Sequence, residues 1–377
     1  MHKFCLLLFI LFRCVGVQAQ YKITFRIKGL PAYHNPADPI FIAGGFNNWN
    51  PAQRESSLQK DPSGIYSITM GLVKGVNEYK FTRGSWANVE SGEGGIALNN
   101  RVVEANNDTI IEISIQHWAD HFAKQPLQST ASKNVKIIER SFFIPQLNRS
   151  RRIWIYLPDG YASSGKKYPV LYMHDGQNVF EDSTSFSGEW GVDEALDTLG
   201  KKQVEIIVVA IDHGGDKRLN EYSPFDAARF GKGEGDLYVD FLVKTLRPYI
   251  NKNYRTKRCF RQNYIAGSSM GGLISYYALL KYPNKWGGAG VFSPAFWIVP
   301  QLKNVTDQKA KKIKRKIYFY AGQQEGTEMV PDMLGVLKQL SRLSKAKMTT
   351  VIRAEGKHNE ATWRNEFPLF YKWMFGQ

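Results

Sequence analysis

Ile265-Ala266-Gly267-Ser268-Ser269-Met270-Gly271-Gly272 holds the pattern G-x-S-x-G over Gly267–Gly271. A serine exposed on a sharp strand-to-helix turn has strained backbone angles, so the positions two before and two after it must be very small. Only Ser269 satisfies that register, because Ser268 is flanked at the same spacing by Ala266 and Met270. Gln262–Ala266 reads as a short buried strand and Leu273–Leu280 as a helix ending near Pro283. A serine so placed attacks an acyl carbon.

A serine hydroxyl is a weak nucleophile at neutral pH and needs a base, usually histidine, oriented by an acid. On folds with this elbow the chain order is serine, acid, histidine. Of seven histidines only His358 follows Ser269. It lies between the strand-like Met348–Arg353 and the helix-like Ala361–Phe375. The acid is expected after the strand Lys316–Gly322, where Glu325 is the first choice and Glu328 and Asp332 stay open. An oxyanion hole needs backbone N–H groups. Met270, after the nucleophile, supplies one, and the tight turn His174-Asp175-Gly176-Gln177 offers the N–H of Gln177 as the second. His174 precedes Ser269 and reads as a structural residue or pocket wall. No HExxH, paired CxxC, Asp-rich loop or G-x-G-x-x-G is present, so neither metal nor nucleotide cofactor is expected.

The surrounding chain divides in two. Residues 20–118 read as an all-β sandwich: Tyr21–Ile27 alternates with period two, and short strands recur at Pro39–Ala43, Gly64–Met70, Asn77–Thr82 and Thr109–Ile115. Residues 119–134 form a polar linker. Residues 135–377 alternate strands with helices, which predicts a mostly parallel sheet: Trp154–Leu157, Val170–Met173 and the apolar run Ile206–Ile211 are strands, with helices at Val192–Leu199 and Leu237–Ile250. Residues 1–19 read as a signal peptide, with Lys3, the apolar Phe4–Phe12 and the small-residue site Val17-Gln18-Ala19, so a secreted or periplasmic protein is expected. The apolar run is too short to span a bilayer, and plain secretion is favoured over lipidation at Cys14, because Arg13 spoils a lipobox. Cleavage leaves Cys259 alone, with no internal disulfide and a structural reading for the thiol.

The 50 Lys and Arg exceed the 34 Asp and Glu, a formal charge of +16. The densest basic run, Lys309–Lys316, reads as a solvated helix or loop face, since no nucleic-acid-binding motif accompanies it. Oligomeric state is not encoded in any motif.

Residues 135–377 resemble the esterase D-like family of α/β-hydrolases, which holds feruloyl, acetylxylan and siderophore esterases and mycolyltransferases. The segments that carry the resemblance are Tyr172–Asn178, Glu189–Asp193, Ile211–Gly215, Arg218 with Glu221-Tyr222, Gly267–Gly272 and Phe292–Trp297. The resemblance implies Ser269 as nucleophile, His358 as base, Glu325 as orienting acid, and Gln177 and Met270 as the hole. Many relatives carry Asp at the acid position. Arg218 and Glu221-Tyr222 are open between acyl-pocket lining and a salt-bridged loop, and Trp297 between pocket wall and core. The front half, through Phe41–Pro51, Tyr79-Lys80-Phe81 and Trp86, resembles a glycogen- or starch-binding immunoglobulin-like module. That resemblance implies sugar contacts by Trp49, Lys80 and Trp86, against the alternative that the first Trp is buried in the sandwich. The function expected is a serine esterase acting on a carbohydrate-linked acetyl or feruloyl ester. A siderophore esterase, an acyltransferase and an inactive carbohydrate-binding protein are the alternatives.

Overall fold

The computed structural model describes residues 20–47, 49–122, 129–185, 188–200, 203–227 and 231–376. The expected signal peptide, with Cys5 and Cys14, and part of the expected linker lie outside the described residues. The chain divides between Gln125 and Pro126 into two units.

Among its described residues the first unit has only strands and short 3-10 turns. The strands are β1 (Gln20–Gly29), β2 (Phe41–Gly44), β3 (Gln59–Lys60), β4 (Tyr66–Val73), β5 (Gly75–Thr82), β6 (Glu90–Ser91), β7 (Arg101–Ala105), β8 (Thr109–Ser114) and β9 (His117–Trp118). They form two larger sheets, β3-β4-β1-β8 and β2-β5-β7, and the pair β6-β9. Period-two alternation decides the packing. Ile23, Phe25 and Ile27 of β1 point inward, and Ile42, Tyr79, Phe81 and Val103 from the other sheet join the same core. Strand β7 was not read from the sequence: Val102 and Glu104 are exposed and only Val103 and Ala105 are buried, too short an alternation to stand out.

The second unit is built on one eight-stranded sheet. Its strands are β10 (Val135–Ile144), β11 (Arg149–Tyr156), β12 (Val170–His174), β13 (Ile207–Ile211), β14 (Asn263–Ser268), β15 (Gly288–Phe292), β16 (Lys316–Gly322) and β17 (Lys347–Arg353), in the spatial order β10-β11-β13-β12-β14-β15-β16-β17. β10 and β11 run antiparallel and the rest are parallel. The helices are α1 (Val192–Leu199), α2 (Arg218–Tyr222), α3 (Gly235–Phe241), α4 (Arg247–Asn253), α5 (Met270–Lys281), α6 (Leu302–Lys309), α7 (Met329–Leu343) and α8 (Glu360–Phe375). Strands β12 to β15 are buried throughout, as strands covered on both faces must be. Tyr172, Val209, Ile265 and Val291 face the core under α3 to α7, and Met173, Val208, Ala266 and Phe292 face that under α1 and α8.

Two readings change here. The helix expected over Leu237–Ile250 is α3 and α4 joined by a π-helical stretch, Leu242–Leu246. Pro248 stands just beyond it, and a proline has no N–H for the carbonyl four residues back, which loosens the ladder at that point. Cys259 is exposed and unbonded rather than a packed structural thiol.

From β12 the chain goes to β13 on one side and later to β14 on the other. Such a switch point leaves a crevice outside the carboxyl ends of the strands, where open α/β sheets bind ligands. The ends of β12 and β14 carry Asp175-Gly176-Gln177 and Ser269 respectively.

Candidate active site

The elbow is visible in the backbone. Ser269 has φ 58° and ψ −121°, outside the regions side chains favour, and its amide donates to the Phe292 carbonyl at 2.9 Å. Its carbonyl accepts from Leu273 and Ala295 at 3.1 and 3.2 Å, so the strained residue is held from both sides. The glycine requirement is steric. A Cβ on Gly267 would stand 2.9 Å from the Gly271 backbone. One on Gly271, the expected partner position, would meet Asp175 Oδ2 and His174 Cβ at 3.3 Å, tight rather than forbidden, and the stricter position is its neighbour Gly272, at 2.7 Å from the Phe292 carbonyl. Ser268 is buried inside β14, whereas Ser269 is partly exposed.

His358 and Glu325 are brought together. His358 Nδ1 is 2.9 Å from Glu325 Oε2, whose side chain is fully buried although its backbone is partly exposed. The other carboxylate oxygen accepts from Ser293 Oγ at 2.8 Å and the Gly322 amide at 2.7 Å. Ser293 in turn accepts from the Trp363 indole N–H at 2.9 Å, and the Trp363 ring meets the His358 ring edge to face at 5.1 Å. The loops carrying acid and base touch backbone to backbone: the Gln324 amide donates to the Gly356 carbonyl at 3.0 Å, and a Cβ on Gly322 would fall 2.2 Å from that carbonyl oxygen. Glu328 and Asp332, the other acids considered, begin α7, and neither bonds His358 among the described residues. No hydrogen bond joins Ser269 to His358 among the described residues.

Gln177 and Met270 stand on the two sides of the switch point. Met270 is the first residue of α5, where an N–H has no intrahelical partner. Gln177 sits in the turn after β12; its carbonyl accepts from Thr184 Oγ1 at 2.7 Å and its amide oxygen from the His213 N–H at 3.2 Å. Gly176 is required there, since a Cβ would stand 2.8 Å from the Ile211 backbone.

Asp175 has φ 56° and is gripped by Arg218, Nε to Oδ1 at 2.6 Å and Nη2 to Oδ2 at 2.8 Å. Burial pushes its carboxyl up, but the Arg218 charge and hydrogen bonds outweigh that and hold it below the ordinary value. Arg218 is thus the ion partner of the turn. Glu221 lies buried between Arg149 and Arg151, a salt-bridged cluster rather than a pocket wall. Trp297 is 42% exposed and not core.

His174 is buried, with Nδ1 2.9 Å from the Tyr238 hydroxyl, and burial drives its pKa down to about 4. It is therefore neutral near pH 7, and it is packed inside the fold against the Tyr222 and Tyr238 rings. Because the unfolded chain takes up this proton near pH 6.5 and the folded one near 4, stability is full above the higher value and lost as pH falls between them, by about 3 kcal/mol. Glu189 and Asp193, raised to about 7 and about 8 by burial first, have the opposite sign and lose stability as pH rises. The readout is consequently a difference. His174→Gln, which can keep the Tyr238 bond, should lose about 2 kcal/mol less than the native protein between about pH 7.5 and about pH 5 in urea unfolding. Parallel losses in both proteins would refute this.

In the first unit Trp49, at φ 58°, and Trp86 are both partly exposed with ring centroids 6.2 Å apart, so Trp49 is not sealed in the core. Lys80 donates to the Leu98 and Asn99 carbonyls, and burial lowers its pKa. Sequence reasoning missed Trp363, and noted Ser293 only as a member of Phe292–Trp297, with no role of its own. The place of Ser293 just after β15, one strand from Ser269, was the further signal that could have found it.

Comparison with known proteins fits this geometry. Residues 144–373 match the family model described as "Putative esterase". The uncharacterized protein YbbA of Bacillus subtilis is 26% identical over 246 residues, 60% of this chain and 94% of that one. An endo-1,4-beta-xylanase/feruloyl esterase of Xylanibacter ruminicola is 30% identical over 219 residues, 56% of this chain but 27% of that one. An alpha-amylase of Niallia circulans is 37% identical over 100 residues, 26% of this chain and 8% of that one. Among solved structures, siderophore hydrolase EstA of Aspergillus nidulans superposes with a TM-score of 0.55 at 15% identity, covering 67% of this chain and 99% of that one. The enterobactin esterase FES of Shigella flexneri does so with 0.53 at 15% identity, covering 94% and 92%. These likenesses establish an α/β-hydrolase-like fold. The family match spans more than half of the chain and every strand from β11 to β17, and the chain belongs to this esterase family, whose substrates are esters.

Proposed function

We propose that this esterase works through an acyl-enzyme on Ser269, with His358 as general base and then acid, and Glu325 fixing the histidine. The observation that carries the reading is the 2.9 Å contact between His358 Nδ1 and the buried Glu325, at the same sheet edge as the strained Ser269. Glu325 keeps the Nδ1 proton, which leaves Nε2 as the acceptor for the serine proton. Ser269 Oγ then bonds to the ester carbon, and the Met270 and Gln177 N–H groups meet the developing oxyanion. His358 passes its proton to the leaving alcohol. Water, deprotonated by the same nitrogen, then cleaves the acyl-serine and releases the acid.

The substrate proposed is an acetyl or feruloyl ester on a polysaccharide, met after export to the periplasm or exterior. The likeness to the xylanase/feruloyl esterase supports it. So does the amylase match, whose 100 residues are about the size of the first unit. In this reading that unit is an immunoglobulin-like sugar-binding module, and Trp49 and Trp86 offer indole faces for a sugar ring. The likeness to FES, which extends over both units, favours a second reading, opening of a catecholate siderophore ester. The test is kcat/KM of the full chain on feruloylated arabinoxylan fragments and on a linear catecholate ester. A preference of about tenfold or more for the first is expected, a 1.4 kcal/mol difference in barrier; the reverse preference selects the siderophore reading.

A further inference from the structure

The parallel strands have a second end. At the amino ends of β14, β15, β16 and β17 lie residues 257–262, 283–287, 312–316 and 344–347. These hold Lys257, Arg258, Arg261, Lys285, Lys312, Lys314, Arg315, Lys316, Lys345 and Lys347, and not one Asp or Glu. No single segment shows this; only the run ending at Lys316 is conspicuous in the sequence. The sheet sets the four side by side: the Lys345 and Lys347 amides donate to the Ile313 and Arg315 carbonyls at 3.1 and 3.0 Å, and the Gly287 amide donates to Asn263 at 2.6 Å. Arg315 reaches across to the Pro283 carbonyl at 3.1 Å, and shares the Phe260 ring with Arg261, their guanidinium carbons 4.6 and 5.5 Å from its centroid.

Among the described residues none of these ten cations makes an ion pair; the Lys316 ammonium is taken up by the Trp373 and Met374 carbonyls, at 3.2 and 2.9 Å. The crowding is felt within the protein. After burial, the Arg261 charge depresses Arg315, and after burial the Lys347 charge depresses Lys316. Like charges gathered without counter-charges cost stability, and an external polyanion relieves that cost.

We propose that this edge is a docking surface for a linear acidic polysaccharide. Strands about 4.8 Å apart set the cations out in a row about 15 Å long, suited to a chain with a charge on successive units. A lipid surface is held best when apolar side chains insert beside the charges, and none of the exposed large apolar residues lies in the four segments. Single-stranded nucleic acid is held by free aromatic faces, and the Phe260 ring at this edge lies under two arginines. Ser269 and His358 follow the opposite ends of the strands, about 20 Å away for five to seven residues of β-structure. A bound polyanion therefore leaves the esterase site open, and the inference does not depend on which ester is cleaved.

The test uses the full chain and polygalacturonate as probe, with affinity measured by calorimetry at low salt and at rising salt. The native protein should bind, and weaken steeply with salt. The variant Lys312→Gln/Lys314→Gln/Lys345→Gln/Lys347→Gln should bind about tenfold or more weakly, with a flatter salt slope and unchanged hydrolysis of p-nitrophenyl acetate. Lys22→Gln/Lys28→Gln/Lys74→Gln, in the first unit, should bind like the native protein. Equal affinity of the native protein and the four-site variant overturns the proposal, as does absence of native binding. Tighter binding to oligothymidylate or to phosphatidylglycerol vesicles than to polygalacturonate overturns it in favour of those partners.

Discussion

Ser269→Ala should lower kcat/KM on p-nitrophenyl acetate by about 10⁵ to 10⁶, or about 7–8 kcal/mol of transition-state stabilisation, while the fold stays intact. The size follows from the role: without the hydroxyl no acyl-enzyme forms, and what remains is the contribution of the N–H groups and binding. The intact fold follows from the backbone. Ser269 already holds a β-carbon at φ 58°, so alanine adds no new strain, and the amide and carbonyl bonds to Phe292, Leu273 and Ala295 are untouched. The burst of p-nitrophenolate that reports acylation should vanish as well. Ser268→Ala is the internal control, since Ser268 is buried in β14, and its activity should stay within a few-fold of native. Retention of more than about 1% activity by Ser269→Ala would end the acyl-serine mechanism.

Glu325→Gln should lower kcat by about 10⁴ with little change in thermal midpoint. Here the hydrogen-bond pattern dictates the outcome. Oε1 receives two donors, Ser293 Oγ and the Gly322 amide, so the oxygen of a glutamine amide must take that place. Its NH₂ is then turned to His358 Nδ1. A donor facing Nδ1 forces the ring proton onto Nε2, and the nitrogen meant to accept the serine proton is blocked. The loss should be in kcat more than KM, and Glu328→Gln should be near native because Glu328 is exposed at the start of α7. A Glu325→Gln enzyme within tenfold of native would mean that the carboxylate only packs the loop.

What could be read beforehand divides along a physical line. The strained turn at Ser269 and the contact of His358 with Glu325 were legible because the elbow is a local steric pattern and chain order restricts the rest. The hydrolase-like sheet was legible from apolar runs such as Ile206–Ile211, which need no partner to be recognised. Ser293 and Trp363 were not, because their roles exist only after β15 and α8 meet. Arg218 stayed ambiguous for the same reason: its partner Asp175 is 43 residues away. The π-helical stretch escaped notice because Leu237–Ile250 keeps helical spacing despite Pro248. The ten cations at the amino edge were hidden most completely, being scattered over some ninety residues until parallel pairing aligns them.

The close approach of Gly322 and Gly356 has a consequence for descent. The acid and the base belong to separate loops, yet their backbones leave no room for a methyl group between them. The atoms that a side chain at Gly322 would strike are the Gly356 main chain, so no exchange of side chains between the loops makes room for one. Related sequences should therefore keep glycine at both sites, so that the pair passes through lineages as one linked character, while loops elsewhere on the sheet drift independently.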